Sequence, residues 1–199
     1  MDINASDLDL LKEIGNIGAG NAASALSEMT DTEVHIEVPD CRMIGFAEIA
    51  DMLGGPDHVI LGILVQLSQE FEGFILLAQD LKDVQTSLKV LMKQDIEITE
   101  DTDISEFEPM REICNILVGA YISAIASLTH LSIVPSVPEL TVDMAMAIMN
   151  VPALVYGEMG DSVLMLDTKF GGAAESIHGH FFLMPTMESL EKLKRALGL

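Results

Sequence analysis

The chain has no tryptophan, two cysteines, and only ten lysines and arginines among 199 residues. Cys41 and Cys114 are too few for the disulfide framework of a small secreted domain. The ten basic residues face 32 acidic ones, a formal charge of −22. Such a balance excludes nucleic acid and anionic membrane as partners, because phosphate groups need a basic face. The longest apolar stretch, near residues 144–156, is broken by Asn150 and Pro152 and is not expected to span a bilayer. The N-terminal MDINASDLDLLKE is acidic and lacks the apolar core of a signal peptide. A soluble, cytoplasmic protein is the expectation. The acid is spread along the chain, which suits either a salt-rich cytoplasm or plain solubility.

What the chain does have is apolar residue: 49% of it is hydrophobic, enough for one compact domain with a substantial core. It also has a repeat. Residues 11–39 read LKEIGNIGAGNAASALSEMTDTEVHIEVP, and residues 112–138 read EICNILVGAYISAIASLTHLSIVPSVP. Glu13 falls on Glu112, Asn16 on Asn115, Gly20 on Gly119, Ser24 on Ser123 and Pro39 on Pro138. A duplicated unit dictates the architecture around it, so one half-domain is expected twice, over about 6–94 and 104–199.

At roughly 100° per residue, Asp9, Glu13, Asn16, Gly20 and Ser24 share one face of the first helix. Leu8, Leu11, Gly15, Gly18, Ala22, Leu26 and Met29 share the other. In the second copy Glu108, Glu112, Asn115, Gly119 and Ser123 lie together, opposite Met110, Cys114, Leu117, Tyr121, Ile125 and Leu128. Each helix is thus expected to bury an apolar stripe and to show water a Glu and an Asn one turn apart. Asn is a poor residue for a helix interior, because its side chain competes for backbone hydrogen bonds. Two such placements at one spacing point to function. The small residues that follow, Gly20 and Gly119 above all, leave the face flat for a protein partner.

Asp9, Glu13, Asn16 and Pro39 resemble the signature of the CheC/CheX/FliY family of chemotaxis phosphatases: Asp or Ser, then Glu, Asn and Pro at fixed spacing. The second copy supplies Glu112, Asn115 and Pro138, with Glu108 where the family has Asp or Ser. The resemblance spans nearly the whole chain, as a two-motif, CheC-like domain of residues 1–199. At this length no residues are expected to remain for the flagellar switch domain of FliY-type members. The resemblance implies an α+β fold: two pseudo-symmetric halves whose long motif helices pack on a largely antiparallel β-sheet.

It also implies a substrate, the aspartyl phosphate of a CheY-type response-regulator receiver. Hydrolysis of an acyl phosphate rests on positioning and electrostatics. An Asn carboxamide both donates and accepts, so it can hold the attacking water in line. Asn16 and Asn115 would do this, while Glu13 and Glu112 would pair with a receiver lysine. Asp9, Glu108, Gly20 and Gly119 would support docking. No cofactor of its own is implied; the Mg2+ would belong to the receiver. The alternative within the same resemblance is a regulatory module that sequesters CheD, the receptor glutamine deamidase.

Along the chain, helices are expected over 6–30, 80–93, 108–128 and 187–197. Strands are expected over 33–38 (stopped by Pro39), 58–67, 71–78, 131–137, 155–158, 162–168 and 180–184. Residues 54–57 read as a turn, 95–108 as an acidic connection, and 141–149 as ambiguous with helix favoured. Gly15, Gly18 and Gly20 lack the spacing and the preceding strand of a phosphate-binding loop, and close helix packing explains the first two better. His178 and His180 alternate as on one strand face but have no third ligand nearby. Met144, Met146 and Met149 read as core or a plastic contact surface.

Overall fold

The computed structural model describes residues 5–156, 162–171 and 176–198. The first element, α1 (Ala5–Thr30), ends where Asp31 takes a left-handed φ of 50°. It returns as α4 (Glu108–Thr129), which ends at His130 with φ 59°. In both last turns a threonine hydroxyl donates back along the helix, Thr30 to the Leu26 carbonyl at 2.8 Å and Thr129 to that of Ile125 at 2.7 Å.

After α1 come β1 (His35–Gly45), α2 (Phe46–Met52), β2 (Val59–Gln69), β3 (Gly73–Asp80) and α3 (Leu81–Met92). After α4 come β4 (Ile133–Pro135), β5 (Glu139–Met144), α5 (Ala145–Tyr156), β6 (Ser162–Gly171), β7 (Ser176–Pro185) and α6 (Met187–Leu197). The succession helix, strand, helix, hairpin, helix therefore runs twice, with the first strand of the second run split in two. A short 3-10 turn at Ile104–Phe107 leads into α4.

Among the described residues all seven strands join one sheet in the order β1-β6-β7-β3-β2-β4, with β5 also on β2, and every pairing is antiparallel. The two hairpins meet at the centre through β3 and β7, and each run's first strand crosses to the other run's hairpin. Alternate residues of a strand point to opposite faces, and the sheet is buried on both. Ile63, Val65, Ile75 and Leu77 face a core shared with α1, α3, α4 and α6. Ile60, Leu76, Ala78 and Phe182 face a second, with Ile49 of α2 and Ile148 of α5.

The helix layer depends on one close approach. A Cβ built on Gly18 of α1 would lie 2.8 Å from Tyr121 Cδ1 and 3.0 Å from Tyr121 Cα on α4. The tyrosine ring stacks in turn on Phe181 of β7, with centroids 4.4 Å apart. Gly15 meets a side chain of the sheet rather than backbone, with Leu166 Cδ2 of β6 at 3.2 Å. Helix packing, as expected, explains both glycines.

Several expected boundaries shift. Pro39 does not stop β1; the strand continues to Gly45, with a register shift between Glu37 and Asp40 taking up the proline. Residues 141–149 split, the first part completing β5 and the rest opening α5, which runs through Pro152. A strand expected over 155–158 begins on Val155 and Tyr156, which end α5, and the rest lies outside the described residues. Met149 is core, whereas Met144 is 42% exposed.

Candidate functional site

The buried stripes of α1 and α4 dictate what their other sides present. Leu11, Ile14, Ala22 and Leu26 lock α1 down, and Met110, Cys114, Leu117 and Tyr121 lock α4. Asp9, Glu13, Asn16, Gly20 and Ser24 are left exposed on α1, and Glu108, Glu112, Asn115, Gly119 and Ser123 on α4. The Asp, Glu, Asn and Ser side chains singled out on these two helix faces therefore all reach solvent. The expected buried stripes are too long by one residue at their C-terminal ends: Met29 and Leu128 are 37% and 44% exposed.

Nothing lies within 4 Å of a Cβ built on Gly20 or Gly119, so the surface one turn beyond each asparagine is open. Ser24 folds its hydroxyl back onto the Gly20 carbonyl at 3.0 Å, which keeps that turn low. Among the described residues no side-chain hydrogen bond or ion pair engages Glu13, Asn16, Glu112 or Asn115. These groups stand ready for an external partner. Glu108 differs: its carboxylate accepts from Arg111 Nη2 at 3.1 Å, one turn on. An exposed pair of this kind is worth little in stability, but it ties the second face's outermost acid to its own helix.

One feature beside the motif faces was missed from the sequence. Ile17 is 40% exposed and Ile116 is half-buried. Each follows its Glu by four residues, which places it at the edge of the polar sector. The wheel carried that signal, but apolar residues are by default assigned to the core. Pro138, matched to Pro39, is buried just ahead of β5.

No cluster of three or more potential metal ligands exists among the described residues. Burial pushes the His180 imidazole below its usual value, against the pull of Asp167, whose Oδ1 lies 3.4 Å from Nδ1, and that Nδ1 makes no hydrogen bond among the described residues. The thiols are core filling. Burial raises Cys114 to about 12, and burial with the neighbouring Asp40 raises Cys41 to about 11.

Solved structures share this architecture. Thermotoga maritima FliY superposes with a TM-score of 0.78 at 19% identity, covering 100% of this chain and 98% of that one. The FliM middle domain of H. pylori gives 0.69 at 11% identity, covering 97% and 99%. The fold is thus one shared with FliY and with the FliM middle domain. In sequence, the profile of the CheC-like family matches residues 7–41, the stretch holding Asp9, Glu13, Asn16 and Pro39. The CheY-P phosphatase CheC of Bacillus subtilis (strain 168) is 30% identical over 201 residues, 98% of this chain and 96% of that protein. The chain belongs to the CheC-like family.

Proposed function

We propose that the chain is a chemotaxis phosphatase that hydrolyses the aspartyl phosphate of a CheY-type receiver at two sites, one on α1 and one on α4. The observation that carries this is the doubled pairing of an exposed Glu and Asn, each beside an open glycine, on helices otherwise buried. A relative of full-length similarity bears the name CheY-P phosphatase, which supports the same reading.

The receiver's acyl phosphate sits in a pocket of its own domain, with its own Mg2+. Each helix face approaches that pocket, and Glu13 or Glu112 pairs with a receiver lysine to fix the angle of entry. Asn16 or Asn115 then accepts a hydrogen bond from a water and holds its oxygen in line with phosphorus. That oxygen bonds to phosphorus as the acyl oxygen leaves with its electron pair, giving free carboxylate and inorganic phosphate. No side chain titrates, in keeping with a reaction served by positioning. Asp9, Gly20, Gly119 and, at its Arg111-tied position, Glu108 frame the docking face. Ile17 and Ile116 add apolar contact.

The test is phosphate release from a phosphorylated receiver by Asn16→Ala, Asn115→Ala and the double variant. Neither change removes a buried contact, so all should fold. Each single variant should lose about half the turnover if the two sites are equal, and the double variant should fall to the receiver's own rate. Glu13→Ala and Glu112→Ala should raise KM more than they lower kcat. A folded double asparagine variant with wild-type turnover would overturn the reading.

A further inference from the structure

Away from the motif helices, a cleft opens where the start of α3 meets β7 and the turn ahead of β2. A cavity of about 370 Å3 is lined there by His58, Gln79, Asp80, Asp83, His178 and His180. A second, of about 450 Å3, shares His58 and Asp80 with it and adds Lys82, Glu100 and Asp101.

Gln79 points to a ligand. Its side chain is buried, with the residue only 1% exposed. Its Nε2 donates to the His178 carbonyl at 3.0 Å and reaches Ser87 Oγ at 3.4 Å. The carbonyl can only accept, so it fixes which end of the amide is nitrogen. Gln79 Oε1 is then left without a hydrogen-bond partner, in a residue that lines the cavity. A buried, unsatisfied acceptor is costly, by about 1–3 kcal/mol, and calls for a donor from outside.

The charges around it select the kind of donor. Asp80 Oδ1 caps α3 through the Lys82 N–H, and its Oδ2 meets His58 Nε2 at 2.8 Å. Asp83 Oδ1 accepts from the His178 N–H at 3.3 Å. Both carboxylates keep lone pairs beyond these bonds. Arg42, the cation felt at His180, is itself beside Asp40 and Glu48, at 3.4 and 3.8 Å. Lys82 also lines these walls and acts on Asp80, but against it stand four carboxylates, Asp80, Asp83, Glu100 and Asp101, so an anion is disfavoured. A metal is disfavoured too, because His58 and His180 turn to separate carboxylates and converge on no common point with a third ligand.

We infer that this cleft binds a guanidinium or alkylammonium group, whose N–H is accepted by Gln79 Oε1 and whose charge is balanced by Asp80 and Asp83. A space of a few hundred Å3 takes a group of that size. The source is either a small free amine or an arginine or lysine side chain of a partner protein.

The experiment is an NMR titration of the full chain at constant ionic strength, first with agmatine and then with acetyl-Gly-Arg-Gly-amide. Saturable shifts should be confined to the Gln79 amide and to His58, His178 and His180. Response to both ligands assigns the cleft to a partner's side chain; response to agmatine alone assigns it to a free amine. Asp83→Asn keeps an oxygen for the His178 N–H and removes the charge, so it should fold and bind at least tenfold more weakly. Gln79→Met should weaken binding likewise. The inference is overturned by no saturable shift with either ligand. Unchanged affinity in folded Asp83→Asn would also overturn it, because attraction to a surface of charge −22 would then suffice. Phosphate release by Asp83→Asn should equal that of the wild type, which keeps this test separate from that of the asparagines.

Discussion

Gly18 and Gly20 stand two residues apart in α1 under opposite demands. Gly18 has the backbone of Tyr121 where a methyl would go, at 3.0 Å, and a backbone cannot rotate away. Gly18→Ala should therefore lower stability by about 1–2 kcal/mol, overpacking outweighing the better helix propensity of alanine. Gly20 and Gly119 have open space, so alanine at either should raise stability by about 0.5–1 kcal/mol. Urea unfolding of the three variants checks this order, and a Gly18→Ala variant as stable as wild type would refute the close α1–α4 contact. On the proposed function, Gly20→Ala should at the same time raise KM for the phosphorylated receiver, since the methyl stands in the docking face. At this scale the candidate site was legible because Glu and Asn one turn apart, opposite an apolar stripe, can only point outward. Ile17 was not, because its exposure depends on how far α4 and the sheet wrap around α1.

At the scale of elements, α4 couples packing to pH. Cys114 and Tyr121 lie on its buried side; burial raises both to about 12, with Thr168 pulling the phenol slightly back. Cys41 of β1 stands at about 11. The fold holds all three in their neutral forms, so between their ordinary values near 9 and 10 and these raised ones the folded chain binds more protons than the unfolded chain. Their contribution is complete below about pH 9 and is lost as pH climbs through 11 to 12. The urea midpoint should fall over that window, and Cys114→Ala, though less stable at pH 7, should fall less steeply. A midpoint unchanged up to pH 12 would contradict the burial of these groups. The motif helices and the central hairpins were legible because long amphipathic or apolar periods override local noise. The failures share a physical cause. The β5 edge strand is exposed or half-buried at every position, so its apolar alternation is faint. Pro39 is accommodated by a bulge, which a chain-breaking rule does not foresee.

For the whole molecule, the charge of −22 sets a cost of compaction. Molar KCl shortens the screening length from about 10 Å at 0.1 M to about 3 Å, so the melting temperature should rise with salt. An unchanged melting temperature would remove the case for a salt-adapted surface. The topology makes a sharper demand. We propose that the chain arose by the duplication its matched motif positions suggest, yet the two runs are interlocked. β1 pairs with β6, and β5 pairs with β2, so each run's outer strand completes the other's hairpin. A fragment of residues 1–94 would expose the edge of β3 that β7 covers, the edge of β2 that β4 and β5 cover, and the side of α1 that α4 covers. Bare edges of that kind do not persist in water. Neither 1–94 nor 104–199 should melt cooperatively as a monomer, while the two expressed together should assemble into one body with the native circular dichroism. A monomeric 1–94 with a cooperative transition of its own would show that the halves are separable domains and that the crossed strands are dispensable.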